Sequence, residues 1–184
     1  KEKIAQMDIP EGYEIEMAGE DENINEAMGY MILMLLLAVI FIYLIMVAQF
    51  QSLLLPFIIM FTIPLAFTGG FMGLIISGKE VSVIAMLGFI MLAGVIVNNG
   101  IVLIEYIMQA RQQGKLKREA ILEAGVIRLR PILMTALTTI LAMVPASLGL
   151  GEGAEMMQPM SITMVGGLIY GTVLTLIVIP CVYD

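Results

Sequence analysis

Histidine and tryptophan are absent from this 184-residue sequence, and cysteine occurs once, at Cys181. Without histidine there is no HExxH helix and no histidine-based zinc site. Nor is there a side chain whose unperturbed titration falls near neutrality, so any proton carrier has to be a carboxylate. A single cysteine cannot close an internal disulfide, and near a helix end it reads as a small apolar residue. Charge is scarce as well, at 14% of residues against roughly a quarter in ordinary soluble domains. Nearly all of it is confined to the first 26 residues, to Arg111–Arg130 and to short loops. The net charge of −7 comes mostly from the N-terminal segment, and no basic patch points to nucleic acid.

What the sequence has in quantity is apolar residues, 60% of the total. No formal charge appears among the 52 residues from Ala27 to Gly78, which as one helix would extend ~78 Å, more than twice the hydrocarbon thickness of a bilayer. The run must therefore fold back, and Gln49, Gln51, Ser52 and Pro56 mark the break. This predicts spans at about 28–48 and 55–77. A polar turn at Ser77–Val81 precedes a third span at about 83–106. A fourth, at about 131–148, opens at Arg130-Pro131, and a fifth, at about 159–180, ends at Pro180. Gly69 and Gly73, and then Gly166, Gly167 and Gly171, have the small-residue spacing of packed membrane helices.

Residues 1–26 are polar, and GYEIEMAG (Gly12–Gly19) alternates apolar with charged residues as a half-buried strand does. Acids at Glu20–Glu26 then favour a helix start. The expected organisation is the end of an extracytoplasmic domain over 1–26 and a transmembrane domain over 27–184. The chain starts at Lys1 with no initiator methionine or signal pattern, and reads as an interior piece of a longer protein. Six of the nine cations lie between Arg111 and Arg130, within a 107–130 loop whose apolar spacing suggests a short interfacial helix. By the positive-inside bias that loop is cytoplasmic, which puts the N-terminal segment and Gly149–Gln158 outside and Asp184 inside.

The stretch LAGVIVNNGIVLIEY (Leu92–Tyr106) carries polar groups into the third span. At ~100° per residue Asn98, Val102 and Glu105 share a stripe, with Asn99 and Tyr106 beside it. Two readings are open: amides that hold helices together, or polar residues that mark an ion pathway. Glu105, near the interface, has a further alternative in reaching water or a loop cation. Thr135, Thr138 and Thr139 line one face of the fourth span, where hydroxyls commonly bond their own helix. The seventeen methionines are scattered through all five spans and read as flexible filling rather than a soft-metal conduit.

VNNGIVLIEY, the run from Glu123 to Gly153 that contains RLRPILMT and GLGEG, and GGLIYGTVLTLIVIPCVYD together resemble the C-terminal half of resistance-nodulation-division (RND) efflux transporters of the hydrophobe/amphiphile type. The resemblance covers nearly the whole chain. It implies an all-α membrane fold like helices eight to twelve of such a transporter, preceded by the last strand of a periplasmic porter domain. The implied protein is a proton-driven antiporter of drugs or amphiphiles, not an enzyme, and carries no cofactor. It is a homotrimer in the inner membrane that works with a periplasmic adaptor and an outer-membrane channel. Its proton site lies between an aspartate pair in the N-terminal half of the same chain and a lysine-asparagine pair, here Asn98 and Asn99. Thr135 matches the relay threonine and Arg128 the arginine at the cytoplasmic entrance, with Glu105 close by. Asn98 stands where lysine is usual, which reopens the coupling ion.

Other readings are a heavy-metal efflux relative, an assembly or secretion member of the same superfamily, and an intramembrane protease. The last fails on its motifs, since GxSG, HExxH and a GxGD partner for Tyr183-Asp184 are all missing.

Overall fold

A computed structural model describes residues 20–151 and 153–183, with side chains from Asn23 onward. Among the described residues the architecture is all-helical: α1 (Glu20–Phe50), α2 (Leu54–Met60), α3 (Thr62–Ser77), α4 (Val83–Gln112), α5 (Lys117–Ser147) and α6 (Ala154–Tyr183). Five helical segments are long and apolar enough to cross a membrane, with α2 and α3 forming one segment, Leu54–Ser77. The expected strand at Gly12–Gly19 lies outside the described residues.

The turns follow from local chemistry. After α1 the chain reverses through Gln51 in the left-handed region (φ 49°). α2 and α3 are separated only by Phe61, whose backbone is itself right-handed helical. The interruption sits where Pro64 leaves the Met60 carbonyl without a donor, and the Thr62 hydroxyl donates to the Ile59 carbonyl at 2.6 Å beside it. Gly78 (φ 67°) ends α3: its own N–H reaches the Ile75 carbonyl and that of Lys79 the Leu74 carbonyl, a closure that needs the left-handed conformation glycine adopts freely. Gly114 and Gly149 close α4 and α5 in the same way. Ser82 caps α4 by accepting from the Ala85 N–H at 3.2 Å.

Three helix boundaries differ from expectation. The interfacial helix and the fourth span are one helix: α5 runs unbroken from Lys117 through Pro131 to Ser147. A proline interrupts a helix by removing one N–H and crowding the carbonyl four residues back. Here Ala120, Ile121 and Ala124 before the proline and Ile132 after it are buried in one cluster with residues of α4 and α6, among them Ile104, Ile107 and Ile179, so packing holds the axis across it. The segment 107–130 is accordingly two helix ends joined by a turn at Gln113–Leu116. Likewise α6 starts before Pro159 and continues past Pro180 to Tyr183.

α6 is the central packing element, lying against α3, α4 and α5. It runs antiparallel to α3, where a Cβ on Gly166 would stand 2.8 Å from the Gly69 carbonyl and 3.1 Å from Gly73 Cα. It runs parallel to α4: Gly88 meets Met160, Leu92 meets Gly167 and Ile96 meets Gly171. The buried cores form along these seams, around Phe89, Leu92, Ile96 and Leu168 in one cluster and Ile59, Leu103, Ile107 and Ile179 in the other. By contrast α1 and α5 leave most of their large apolar side chains uncovered, as surfaces facing lipid or further protein do.

Candidate functional site

α4 has 30 residues, ~45 Å of helix, and so reaches well beyond a hydrocarbon core of ~30 Å. Its polar stripe sits on the surface of the bundle: Asn98 and Glu105 are exposed and Val102 between them is half-buried. Asn98 opens on a shallow apolar cleft of about 160 Å³ between α1 and α4, beside Ile42, Ile45, Gly94 and Ile101. Glu105 lies further along, in a cleft of about 240 Å³ with Gln49, Gln109 and Gln112. Asn99 leaves the stripe. It is 3% exposed, turned into the packed bundle, with its Nδ2 lacking any hydrogen-bond partner.

On α5, Thr135 is exposed and its hydroxyl donates to the Ile132 carbonyl at 3.0 Å. Thr138 and Thr139 bond the Met134 and Thr135 carbonyls at 2.7 and 2.9 Å. In this arrangement all three hydroxyls are spent on their own helix.

Arg128 is placed by an aromatic ring. Its guanidinium carbon stands 5.1 Å from the Tyr106 ring centroid, a cation–π contact between α5 and α4. The Tyr106 hydroxyl donates to Glu123 Oε1 at 3.2 Å, and the other oxygen of that carboxylate is ion-paired with Lys115 in the turn between the helices. The hydrogen bond to Glu123 raises the pKa of Lys115. The Arg128 Nε is buried and unpartnered.

Of the five residues singled out from sequence, Asn98 and Glu105 share a face, Asn99 is turned inward, and Arg128 meets α4 through Tyr106 rather than through Glu105. No hydrogen bond joins any two of the five. Sequence reasoning missed Lys115 and Glu123, and noted Tyr106 only as a neighbour of the stripe. Tyr106 and Arg128 are 22 positions apart across a turn, so no periodicity signals the contact. It also missed Thr172 and Thr175, buried on α6 with unpartnered hydroxyls, although their i, i+3 spacing is the same signal that drew attention to Thr135 and Thr138. Among the described residues no group of three or more histidine, cysteine or acidic side chains is placed to hold a metal ion. The arrangement offers amide donors and acceptors, one interfacial carboxylate and a stacked guanidinium. A carboxylate facing Asn98 would have to come from elsewhere.

Comparison with known proteins supplies the frame for these features. The swarming motility protein SwrC of Bacillus subtilis (strain 168) is 40% identical over 185 residues, a match covering 100% of this chain and 18% of that protein. Among solved structures, a heavy metal efflux pump in crystal form II superposes with a TM-score of 0.80 at 31% identity, over 98% of this chain and 18% of that one. Crystal form I gives a TM-score of 0.77 at 32% identity, over 90% of this chain and 16% of that one. The chain thus spans under a fifth of the length of the relatives it matches. The profile of the AcrB/AcrD/AcrF family matches residues 1–184, and the chain, with its five membrane-length helices, belongs to that family of RND transporters.

Proposed function

We propose that this chain is the C-terminal transmembrane half of a proton-driven efflux transporter, equivalent to helices eight to twelve, that exports drugs or amphiphilic compounds. In this reading it contributes Asn98, Asn99, Thr135, Arg128 and Glu105 to an intramembrane coupling site completed by an aspartate pair from the N-terminal half of the same chain. The transporter is a secondary antiporter and a homotrimer of the inner membrane, joined to a periplasmic adaptor and outer-membrane channel. Residues 1–26 close an extracytoplasmic porter domain, and the C-terminus is cytoplasmic.

The observation that carries the reading is Asn98, an exposed amide midway along a membrane-length helix. Facing lipid, such a group costs on the order of several kcal/mol. Its face therefore calls for a polar partner, and the longer relatives leave ample chain to supply one. Arg128 supports the same reading, because its stacking on Tyr106 couples the N-terminal half of α5 to the helix that carries Asn98.

The two solved neighbours favour a second reading, in which the cargo is a heavy metal. The two differ in substrate and share the coupling site. Expression of the full-length transporter in a strain stripped of efflux pumps separates them: resistance to amphiphilic dyes and detergents supports the first, and resistance to heavy-metal salts alone the second. In either case Asn98→Ala should weaken efflux several-fold at unchanged membrane abundance. Wild-type efflux by that variant would mean that Asn98 only packs helices.

A further inference from the structure

α5 carries a groove that the packed bundle leaves open. Val126, Leu129, Arg130, Leu133, Met134 and Leu137 line a shallow cleft of about 300 Å³, and its five apolar side chains are between 42% and 77% exposed. At ~100° per residue these six share one side of the helix. The buried Ala124, Ile132 and Ala136 lie on another, and Thr135 is almost opposite, ~170° round. The groove therefore points away from the packed seam and from the face assigned above to ion coupling.

The groove is polar at one level only. Arg130 is the last charge on α5, and Pro131–Ser147 carries none, ~26 Å of apolar helix against ~30 Å of hydrocarbon. Its guanidinium thus stands at the membrane boundary, with Leu133, Met134 and Leu137 deeper. Among the described residues no carboxylate pairs with Arg130. The nearest acid on its own helix, Glu123, lies seven positions back and is ion-paired with Lys115.

A guanidinium without a carboxylate, at the boundary end of an apolar groove, matches an anionic phospholipid in polarity and in direction. The phosphate oxygens accept two parallel N–H bonds from the arginine, and the acyl chain runs past Leu133 and Leu137 toward the bilayer centre. A helix docked there would need an acid at this level. The headgroup's net charge matters too, because Arg111–Arg130 holds six cations against two acids, Glu119 and Glu123, and such juxtamembrane basic segments attract anionic lipid.

We propose that Arg130 and this groove form a binding site for one anionic phospholipid. The choice of lipid over protein rests on the proposed function in one respect, that the N-terminal half meets α5 on its Thr135 side. Neither the cargo nor the coupling ion enters it.

Photo-crosslinking of the full-length transporter in lipid nanodiscs tests it, using phosphatidylglycerol and phosphatidylcholine probes with the same diazirine-bearing acyl chain. Labelled residues are mapped by mass spectrometry. The phosphatidylglycerol probe should label Leu129–Leu137 several-fold more than the phosphatidylcholine probe. Arg130→Gln should remove that excess, and Arg118→Gln, which deletes a charge of the same helix outside the groove, should keep it. Equal labelling by the two probes in the wild type would overturn the proposal. So would an excess that survives Arg130→Gln or is lost equally in Arg118→Gln, which would mean diffuse attraction to the basic segment. Absence of label from both probes would mean that protein covers the groove, and would also overturn it. Because the readout is lipid contact and not efflux, its failure is separate from failure of the coupling role of Asn98. The wild-type comparison decides alone if a variant does not fold.

Discussion

Asn98 and Asn99 are consecutive on α4 yet face different surroundings: Asn98 is exposed beside α1, and Asn99 is 3% exposed with its Nδ2 turned into the bundle that α6 completes. A rotation of ~100° about the helix axis separates a group on the outer face of α4 from one turned into the bundle. Their substitutions should therefore act differently on stability. Asn99→Leu places an apolar side chain of similar size at this buried position and removes an Nδ2 that has no hydrogen-bond partner, a change expected to be neutral or stabilising. The melting temperature of the purified full-length transporter should rise or hold for Asn99→Leu and stay near wild type for Asn98→Ala, while efflux falls for both.

Tyr106 is expected to act through its ring more than through its hydroxyl. Tyr106→Phe keeps the face on which Arg128 stacks and loses only the bond to Glu123. Tyr106→Leu removes the face, worth ~1 kcal/mol or more where the cation is partly desolvated. Efflux should be nearly normal in the first variant and reduced several-fold in the second, and equal activity in both would show that the ring does not position Arg128.

The neighbouring ion pair should not sense physiological pH. The hydrogen bond to Glu123 lifts the Lys115 pKa above the ordinary lysine value. Any stability it contributes is thus fully present below that value and is lost only as pH rises through the raised one. Lys115→Met should leave the shape of the efflux pH profile between about pH 5 and 8 unchanged, well below the lysine range, and a shifted profile would contradict this.

The α3–α6 crossing should tolerate no added methyl. A Cβ on Gly166 would meet backbone atoms, the Gly69 carbonyl at 2.8 Å and Gly73 Cα at 3.1 Å, and backbone cannot rotate away as a side chain can. Gly166→Ala should lower stability by about 1–3 kcal/mol or more. Gly29→Ala, with nothing within 4 Å of the added carbon, should be neutral or mildly stabilising. Melting temperatures of the two variants check the pair.

How much of this was readable in advance depends on the range of the interaction. Five membrane-length segments followed from uninterrupted apolar runs, and the exposed Asn98–Glu105 stripe followed from helical periodicity, both local properties. The path of α5 through Pro131 did not, because the buried cluster that takes in Ala120, Ile121, Ala124 and Ile132 holds it, and a proline read alone predicts a boundary. Asn99 was read beside the stripe and lies inside, since a rotation of 100° settles burial only once the neighbouring helices are placed. The Tyr106–Arg128 contact and the α6 threonines depend on which helices meet, and the sequence of one half-bundle carries no periodic sign of that.

The proposed coupling role of Asn98 is tested most directly by the pH dependence of transport in the full-length protein. A lysine at this position adds a cation that favours the ionised form of a facing carboxyl, whereas an amide hydrogen-bonds either form. Asn98→Lys should therefore move the half-maximal pH of proton-coupled efflux downward relative to wild type, by about one unit or more for a nearby charge, with a matching shift in the infrared titration of the buried carboxyl band. Superimposable profiles in wild type and Asn98→Lys would contradict the account and leave Asn98 a packing residue on an otherwise apolar helix.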